Sequence, residues 1–416
     1  MSAGNLHPVE LYLICGDLQG VPAGVYHFAP LKFGLTALRV GDHRPFLGAA
    51  VPGAETALAA VVLTGIPWRT AWKYGERSFR HLYWDAGTIV ANLLSVAAAA
   101  GLGARVLSGF ADADVARLVG VDGIEEFPLA VVALGHRAAT ALPAPVAPGQ
   151  LDVAVAPTSA HPITFPLIVE TQQDSNLEGA EDVARWRSAA ATIGDSVAWP
   201  VSQPPAGTPG LEEVILQRGS TRLMRRAEAR AELLGWAMAA AAQAIPADVP
   251  SPGRSLLSHY LSVHAVAGTP PGAYRWQPAG PVLQRAGELR STAQWLCLDQ
   301  PLGGDSAYTA FHCADLDTIL AALGSRGYRV AQLEAGIAAG RLSLAAFALG
   351  YSATGLTFLD DPVSEFFDVA DACMLVTAVG IPAYRNRRGG PPGAPAELHG
   401  YDRLMENLSV QLTRRR

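Results

Sequence analysis

The chain has 416 residues, 50% of them hydrophobic and 16% charged, enough apolar material for two packed domains; this excludes a disordered or collagen-like polymer. A formal net charge of −6 argues against recruitment to nucleic acid or anionic lipid by bulk electrostatics. Four cysteines, Cys15, Cys297, Cys313 and Cys373, lie far apart without a C-x-x-C pair, so neither a zinc site nor a disulfide framework is indicated, and buried, reduced thiols are expected.

Met1–Leu11 lacks the basic start and continuous apolar core of a secretory signal. VELYLIC, Val9–Cys15, reads as a strand, and ALAAVVLTGI, Ala57–Ile66, as a buried one; turn residues bound both. From Asp85 to Ala100 the chain is Ala-rich and free of proline, which predicts a helix ended by Gly101 and Gly103. FPLAVVALG, Phe127–Gly135, reads as a fully buried strand. From Ala139 to Gly210 Pro, Ala and Ser dominate, as in a linker, with FPLIVETQQ, Phe165–Gln173, as a candidate strand inside it. A second helix is predicted over Glu334–Leu349 and a last strand over Cys373–Gly380. Apolar stretches such as Leu233–Ala242 are too short and too broken to cross a bilayer, so no membrane segment and a cytoplasmic location are expected.

The chain also repeats itself. GVPAGVYHFAP, Gly20–Pro30, returns 248 residues later as GTPPGAYRWQP, Gly268–Pro278. SFRHLYWDAGTIVANLLSVAAAAGLGA, Ser78–Ala104, returns after 249 residues as GYRVAQLEAGIAAGRLSLAAFALGYSA, Gly327–Ala353. A repeat this long, with its elements in unchanged order, is a duplicated domain and not a solenoid unit. The expected organisation is an α+β pseudo-dimer within one chain: a first domain over 1–138, the linker over 139–210 and a second domain over 211–416.

Three local patterns carry chemistry. SAGNLHPVELYL, Ser2–Leu13, joins small residues and a side-chain amide to a strand, so backbone could approach a flat ring closely; a turn feeding a strand needs the same residues. In LQRGSTRLM, Arg218, Ser220 and Arg222 set two guanidinium groups and a hydroxyl within five residues, which suits phosphate and equally suits a solvated face. Arg385, Arg387 and Arg388 follow in a Gly- and Pro-rich loop. Lys73 and Tyr74 could move a proton; the second copy has Ala322 and Leu323 there, although Gly75 and Arg77 are kept as Gly324 and Arg326. No dinucleotide fingerprint or Walker sequence occurs, and His259 with His264 has the wrong spacing for a helical zinc pair, so no metal is expected.

Taken together, SAGNLHPVELYL, GVYHFAP, KYGERSFR, DAGTIVANLLSVAAAAGLGA and SGF at Ser108–Phe110 resemble the nitroreductase-like flavoprotein superfamily, in particular its SagB-type dehydrogenase branch. The resemblance is close over Ser2–Gly135 and looser from about Leu211 to Pro392. It implies an α+β fold that binds FMN where two domains meet. On the family pattern Ser2, Gly4 and Asn5 contact the flavin from one copy, while Arg218, Ser220 and Arg222 hold its phosphate from the other, with Gly219 in place of a family arginine. Thr354, Gly355 and Leu356 fall where a family loop brings backbone N–H groups to the reactive flavin nitrogen, and Arg385 or Arg387 matches the closing phosphate arginine. In copy two the flavin turn has become PSPGRS, Pro250–Ser255, so one complete site is expected, its counterpart being empty or vestigial. The start at the motif leaves room for a shortened N-terminus.

The resemblance implies dehydrogenation of azolines in a peptide or similar substrate, with Lys73 as base, Tyr74 as proton relay and biosynthetic partner enzymes nearby. Two alternatives stay open: an NAD(P)H-dependent nitro or quinone reductase, and an inert peptide-binding scaffold. Partners are a small-molecule or peptide substrate, with neither nucleic acid nor membrane, in a monomeric pseudo-dimer or a homodimer.

Overall fold

The structure, a computed structural model, describes residues 2–136, 144–151, 159, 161–196, 203–386, 388–389 and 393–395. In copy one β1 (Val9–Cys15), β2 (Gly24–Ala29) and β3 (Gly34–Val40) form a meander. There follow α1 (Arg44–Ala50), β4 (Ala59–Gly65), α2 (Trp68–Tyr74), the long α3 (Ser78–Ala99), β5 (Ala104–Leu107), α4 (Asp112–Val119) and β6 (Phe127–Leu134). The connection carries α5 (Pro166–Asp174), α6 (Ala180–Ala189) and β7 (Asp195–Ser196). Copy two opens with α7 (Leu211–Gln217), β8 (Met224–Arg225), α8 (Ala231–Ala242) and β9 (Arg254–Ser255), then repeats the series as β10 (Leu257–Val263), β11 (Gly272–Gln277), β12 (Gly280–Ala286), α9 (Arg290–Leu296), α10 (Pro301–Asp305), β13 (Tyr308–Ala314), α11 (Leu316–Leu323), α12 (Ser325–Ala348), β14 (Ser352–Leu356), α13 (Asp360–Phe367) and β15 (Ala372–Pro382).

The strand orders are the same, β3-β2-β1-β4-β6-β5 and β12-β11-β10-β13-β15-β14, and equivalent residues pair: Leu13 with Val61 in one sheet, Leu261 with Ala310 in the other. The fold is the expected α+β sandwich in two tandem copies. Both long helices start earlier than their Ala-rich runs suggest, because the aromatic turn before Asp85 and its counterpart before Glu334 also bury apolar faces. A left-handed glycine, Gly75 at φ 57° and Gly324 at φ 59°, separates each long helix from the short one before it.

Two expectations are corrected. FPLIVETQQ is helical, not a strand: Pro166 sits in the first turn, where its missing N–H costs nothing, and Ile168 and Gln172, four apart, are buried on one face. The composition of 139–210 hides this structure, since α6 also buries Val183 and Trp186. Second, Trp68–Ala99 is long and apolar enough to cross a membrane by composition, contrary to the reading from shorter stretches; 61% of its apolar window is buried inside the protein, as in a core helix.

The copies meet along α3 and α12 at backbone contact. A methyl group added at Gly336 would lie 2.6 Å from the Trp84 carbonyl oxygen, and one at the equivalent Gly87 would lie 2.5 Å from that of Leu333. Beside them Asp112 of copy one accepts from Arg326 at 2.6 Å and Arg329 at 3.1 Å of copy two, all three side chains being buried. Gly336→Val should cost about 3 kcal/mol or more, because a helix backbone cannot yield to the new methyls. Urea unfolding checks this against Gly235→Ala, where nothing lies within 4 Å and stability should hold or rise. Equal midpoints for the two variants would contradict the backbone contact.

Candidate active site

The N-terminal turn is shaped by backbone conformations that few residues accept. Gly4 has φ 61° and Asn5 φ 60°. The buried Asp85 of α3 holds the turn, accepting the Ala3 N–H at 3.0 and 3.2 Å, while Ser2 Oγ accepts the His7 N–H at 2.8 Å. Burial raises the Asp85 carboxyl to about 6 against the opposing pull of Ser2 and the Ala3 amide. Copy two reproduces the device: Glu334, at the equivalent position, accepts the Leu256 N–H at 3.2 Å and the Ser255 hydroxyl at 2.6 Å.

The turn forms one wall of a cavity of about 470 Å³. Ser2, Asn5 and Asp85 come from copy one; Arg218, Gly219, Ser220 and Arg222 line it from copy two. Two segments more than 200 residues apart in sequence thus share one cleft. Arg218 Nε is buried and has no hydrogen-bond partner among the described residues, and burial lowers the guanidinium's pKa. Arg222 is exposed, its backbone N–H donating to Tyr384 Oη at 2.9 Å. The loop is fixed from outside: β8 pairs with the end of β15, and the Gly389 N–H donates to the Leu216 carbonyl at 2.8 Å. Arg385 lies on this returning strap, exposed and outside the cavity lining. Arg387 lies outside the described residues.

Lys73 and Tyr74 end α2 and face the turn from the other side. A methyl group at Gly4 would fall 2.7 Å from Tyr74 Oη and 2.9 Å from Lys73 Nζ, so only glycine leaves both polar atoms in place against the backbone. The Tyr74 ring stacks on His81, with centroids 4.3 Å apart and planes 13° from parallel. His81 is buried, which lowers its pKa to about 4 and keeps it neutral; its Nδ1 lies 3.0 Å from the Arg77 carbonyl, the geometry of an Nδ1–H donor. Aromatic contacts continue through Trp84 to Phe358 of copy two, at 4.7 and 6.1 Å, and Arg77 pairs with Asp360 at 2.7 Å. His81 and Asp85 were missed by sequence reasoning. The repeat holds the signal: Lys73, Tyr74 and His81 become Ala322, Leu323 and Val330 together, while Asp85 stays acidic as Glu334.

Thr354, Gly355 and Leu356 lie in an edge strand, β14, rather than in a loop, with Thr354 and Leu356 buried and Gly355 exposed. The pairing of β14 along β15, Thr354 with Ala378 through Leu356 with Val376, accounts for this. None of the three lines the cavity of Ser2 and Arg218.

The pseudo-symmetric counterpart is filled by protein. Trp186 of α6 donates its indole N–H to the Leu323 carbonyl at 3.0 Å, at the position equivalent to Tyr74. Arg187 beside it bonds Asp248 and donates to the Gly109 carbonyl at 2.7 Å, and β7 pairs with β9 across the altered turn. Glu334 is sealed beneath. Burial, outweighing Ser255 and the Leu256 amide, raises its carboxyl from an ordinary 4.5 to about 7. The folded chain therefore holds this proton more tightly than the unfolded chain, and the resulting stability, about 3 kcal/mol, is full below pH 4.5 and lost as pH rises through about 7. Glu334→Gln should flatten that stretch of the stability profile; denaturant titrations across the window check it, and unaltered pH dependence would contradict it.

The Nitroreductase family profile matches residues 2–136. MJ1384, a candidate nitroreductase of Methanocaldococcus jannaschii, is 30% identical over 141 residues, which are 33% of this chain and 69% of that protein. The microcin B17-processing protein McbC of Escherichia coli is 28% identical over 142 residues; the match takes in 32% of this chain and 52% of McbC, so the chain spans about half the length of that relative. A crystal structure of a candidate nitroreductase from Anabaena variabilis superposes with a TM-score of 0.75 and 25% identity, covering 92% of this chain and 82% of that one. The family profile thus falls on copy one, where the turn, Lys73 and Tyr74 lie, while the structural likeness extends over both copies; the chain belongs to the nitroreductase family.

Proposed function

We propose that the chain is an FMN-dependent oxidoreductase of the SagB type, dehydrogenating a thiazoline or oxazoline in a peptide or similar substrate. The observation that carries this reading is the convergence at Gly4, where Lys73 Nζ and Tyr74 Oη approach a turn that shares one cavity with the unpartnered Arg218. The residues present suit a flavin phosphate: a desolvated guanidinium lacking an acceptor, the Ser220 hydroxyl, and Arg222 at the rim, with Arg385 or Arg387 assigned to close over it. Ser2, Gly4 and Asn5 are assigned to the ring system, and the backbone of Thr354, Gly355 and Leu356 to its reactive edge. When bound, FMN supplies the hydride acceptor.

The chain's own part is proton transfer. Lys73 Nζ takes the proton lost from the azoline as the hydride leaves, so each new ring double bond releases one hydride and one proton. Tyr74 orients or relays that proton, and neutral His81, stacked beneath it, fixes its ring without adding a competing charge. The similarity to a microcin-processing protein supports a peptide substrate and biosynthetic partner proteins. The similarity to MJ1384 favours the second reading, an NAD(P)H-dependent nitro or quinone reductase.

The visible spectrum and flavin content of the purified protein test the assembly. We expect about one FMN per chain, because the counterpart site holds Trp186. Two per chain would contradict the asymmetric site, and a colourless protein that takes up no added FMN would leave the scaffold reading. Oxidation of a synthetic thiazoline peptide in air supports the azoline assignment; NAD(P)H oxidation with a quinone and no peptide turnover replaces it with the second reading.

A further inference from the structure

The two copies differ in what fastens sheet and turn to the short helix that precedes the long one. In copy one Arg69 of α2 donates from Nη1 to the His7 carbonyl at 3.0 Å and pairs through the same nitrogen with Glu10 Oε1 at 2.5 Å. Glu10 Oε2 lies 2.8 Å from His27 Nε2, so both carboxylate oxygens are engaged. Tyr12, two residues along β1 from Glu10, donates to Glu126 at 2.8 Å. Copy two keeps this last contact, as Tyr260 donating to Asp371 at 3.0 Å, and loses the others: Glu10, His27 and Arg69 become Ser258, Arg275 and Thr318. Thr318 serves the cap of α11 instead, its hydroxyl donating to Asp315 at 2.7 Å. The tyrosine–carboxylate contact therefore occurs twice, whereas the chain of groups that reaches the turn occurs only where Lys73 and Tyr74 do.

We propose that Arg69 is a positioning residue for proton transfer: held by Glu10, it fixes the turn at His7 while Lys73 and Tyr74 meet the same turn at Gly4. This rests on the assignment of Lys73 and Tyr74 under the proposed function. Backbone conformation gives the reason. His7 has φ 48°, which is costly for a residue with a side chain, and it follows Gly4 at φ 61° and Asn5 at φ 60°. Such a turn persists only when its surroundings hold it, and both polar groups of the His7 backbone are held, the N–H by Ser2 Oγ and the carbonyl by Arg69. Arg69 and Lys73 stand four residues apart on α2, hence on one face, and grip the turn at two points. Without Arg69 the His7 carbonyl turns to water, the strained residue relaxes and Gly4 shifts against Lys73 Nζ. A displacement of about 1 Å is enough to cost on the order of 100-fold in rate. The Arg69 side chain is 31% exposed and Glu10 16%, so the ion pair by itself adds little stability. Its effect is geometric, because pairing with a carboxylate that His27 also holds confines a side chain that would otherwise sample many rotamers.

Amide hydrogen exchange across residues 2–8 of the full chain reads the turn without any substrate. In Arg69→Met the Leu6 and His7 amides should exchange about tenfold faster while the urea midpoint stays in place. At saturating FMN, kcat should fall roughly 10- to 100-fold with KM little changed. One nitrogen of Arg69 makes both contacts, so Arg69→Lys should restore the protection and most of kcat. Glu10→Gln should loosen the same amides to a smaller degree, and it carries the test should Arg69→Met fold poorly. Unaltered exchange at the turn would overturn the proposal. So would faster exchange spread along β1 and β2 with a lowered urea midpoint, the mark of a merely structural ion pair, or lysine failing to rescue. Failure of the azoline reading shows separately, as a parent protein that does not turn over a thiazoline peptide.

Discussion

Lys73→Ala is expected to lower turnover of the azoline substrate about 10²- to 10⁴-fold, the range over which a positioned general base contributes, while the bound flavin spectrum stays as it was. The separation of the two readouts follows from position. Lys73 is exposed at the end of α2, outside the cavity wall that carries Arg218, and its side chain joins no core cluster. Truncating it removes an amine beside Gly4 without opening a hole in the protein. Tyr74→Phe keeps the ring stacked on His81 and deletes only the hydroxyl, so a smaller loss in kcat is expected, with the fold intact. Measured kcat and flavin content for the two variants decide the matter: wild-type turnover in Lys73→Ala removes the pair from the mechanism, and loss of flavin would reassign Lys73 to cofactor binding.

Arg218→Ala has an opposite pair of signs. A charge-assisted hydrogen bond to phosphate contributes about 1.5–3 kcal/mol, so FMN should bind roughly 10- to 100-fold more weakly. In the absence of flavin the same guanidinium is desolvated with Nε unpartnered, which costs stability. The flavin-free variant should therefore be as stable as the flavin-free parent or more so, while the stabilisation gained on adding FMN shrinks. Equilibrium dialysis together with thermal unfolding, with and without FMN, measures both terms. An unaltered affinity would leave the phosphate without its assigned anchor; a large fall in the stability of the flavin-free protein would make Arg218 a structural residue.

What the sequence determined by itself was the duplication and the class of the strands and helices read within the two copies. The repeats at Gly20 and Gly268 and at Ser78 and Gly327 specify one fold twice, since apolar period and turn glycines are local properties that recur wherever the segment recurs. The pairing of Ser2–Asn5 with Arg218–Arg222 was legible only through resemblance, because nothing in either segment encodes the distance between them. Tertiary structure alone decided the rest. His81 beneath Tyr74 and Asp85 under the turn depend on which face of α3 meets the N-terminus, and the helical connection that seals the counterpart site depends on Trp186 finding Leu323 from 137 residues away. A proline- and alanine-rich composition describes a segment's own preferences, and burial against a distant partner overrides them.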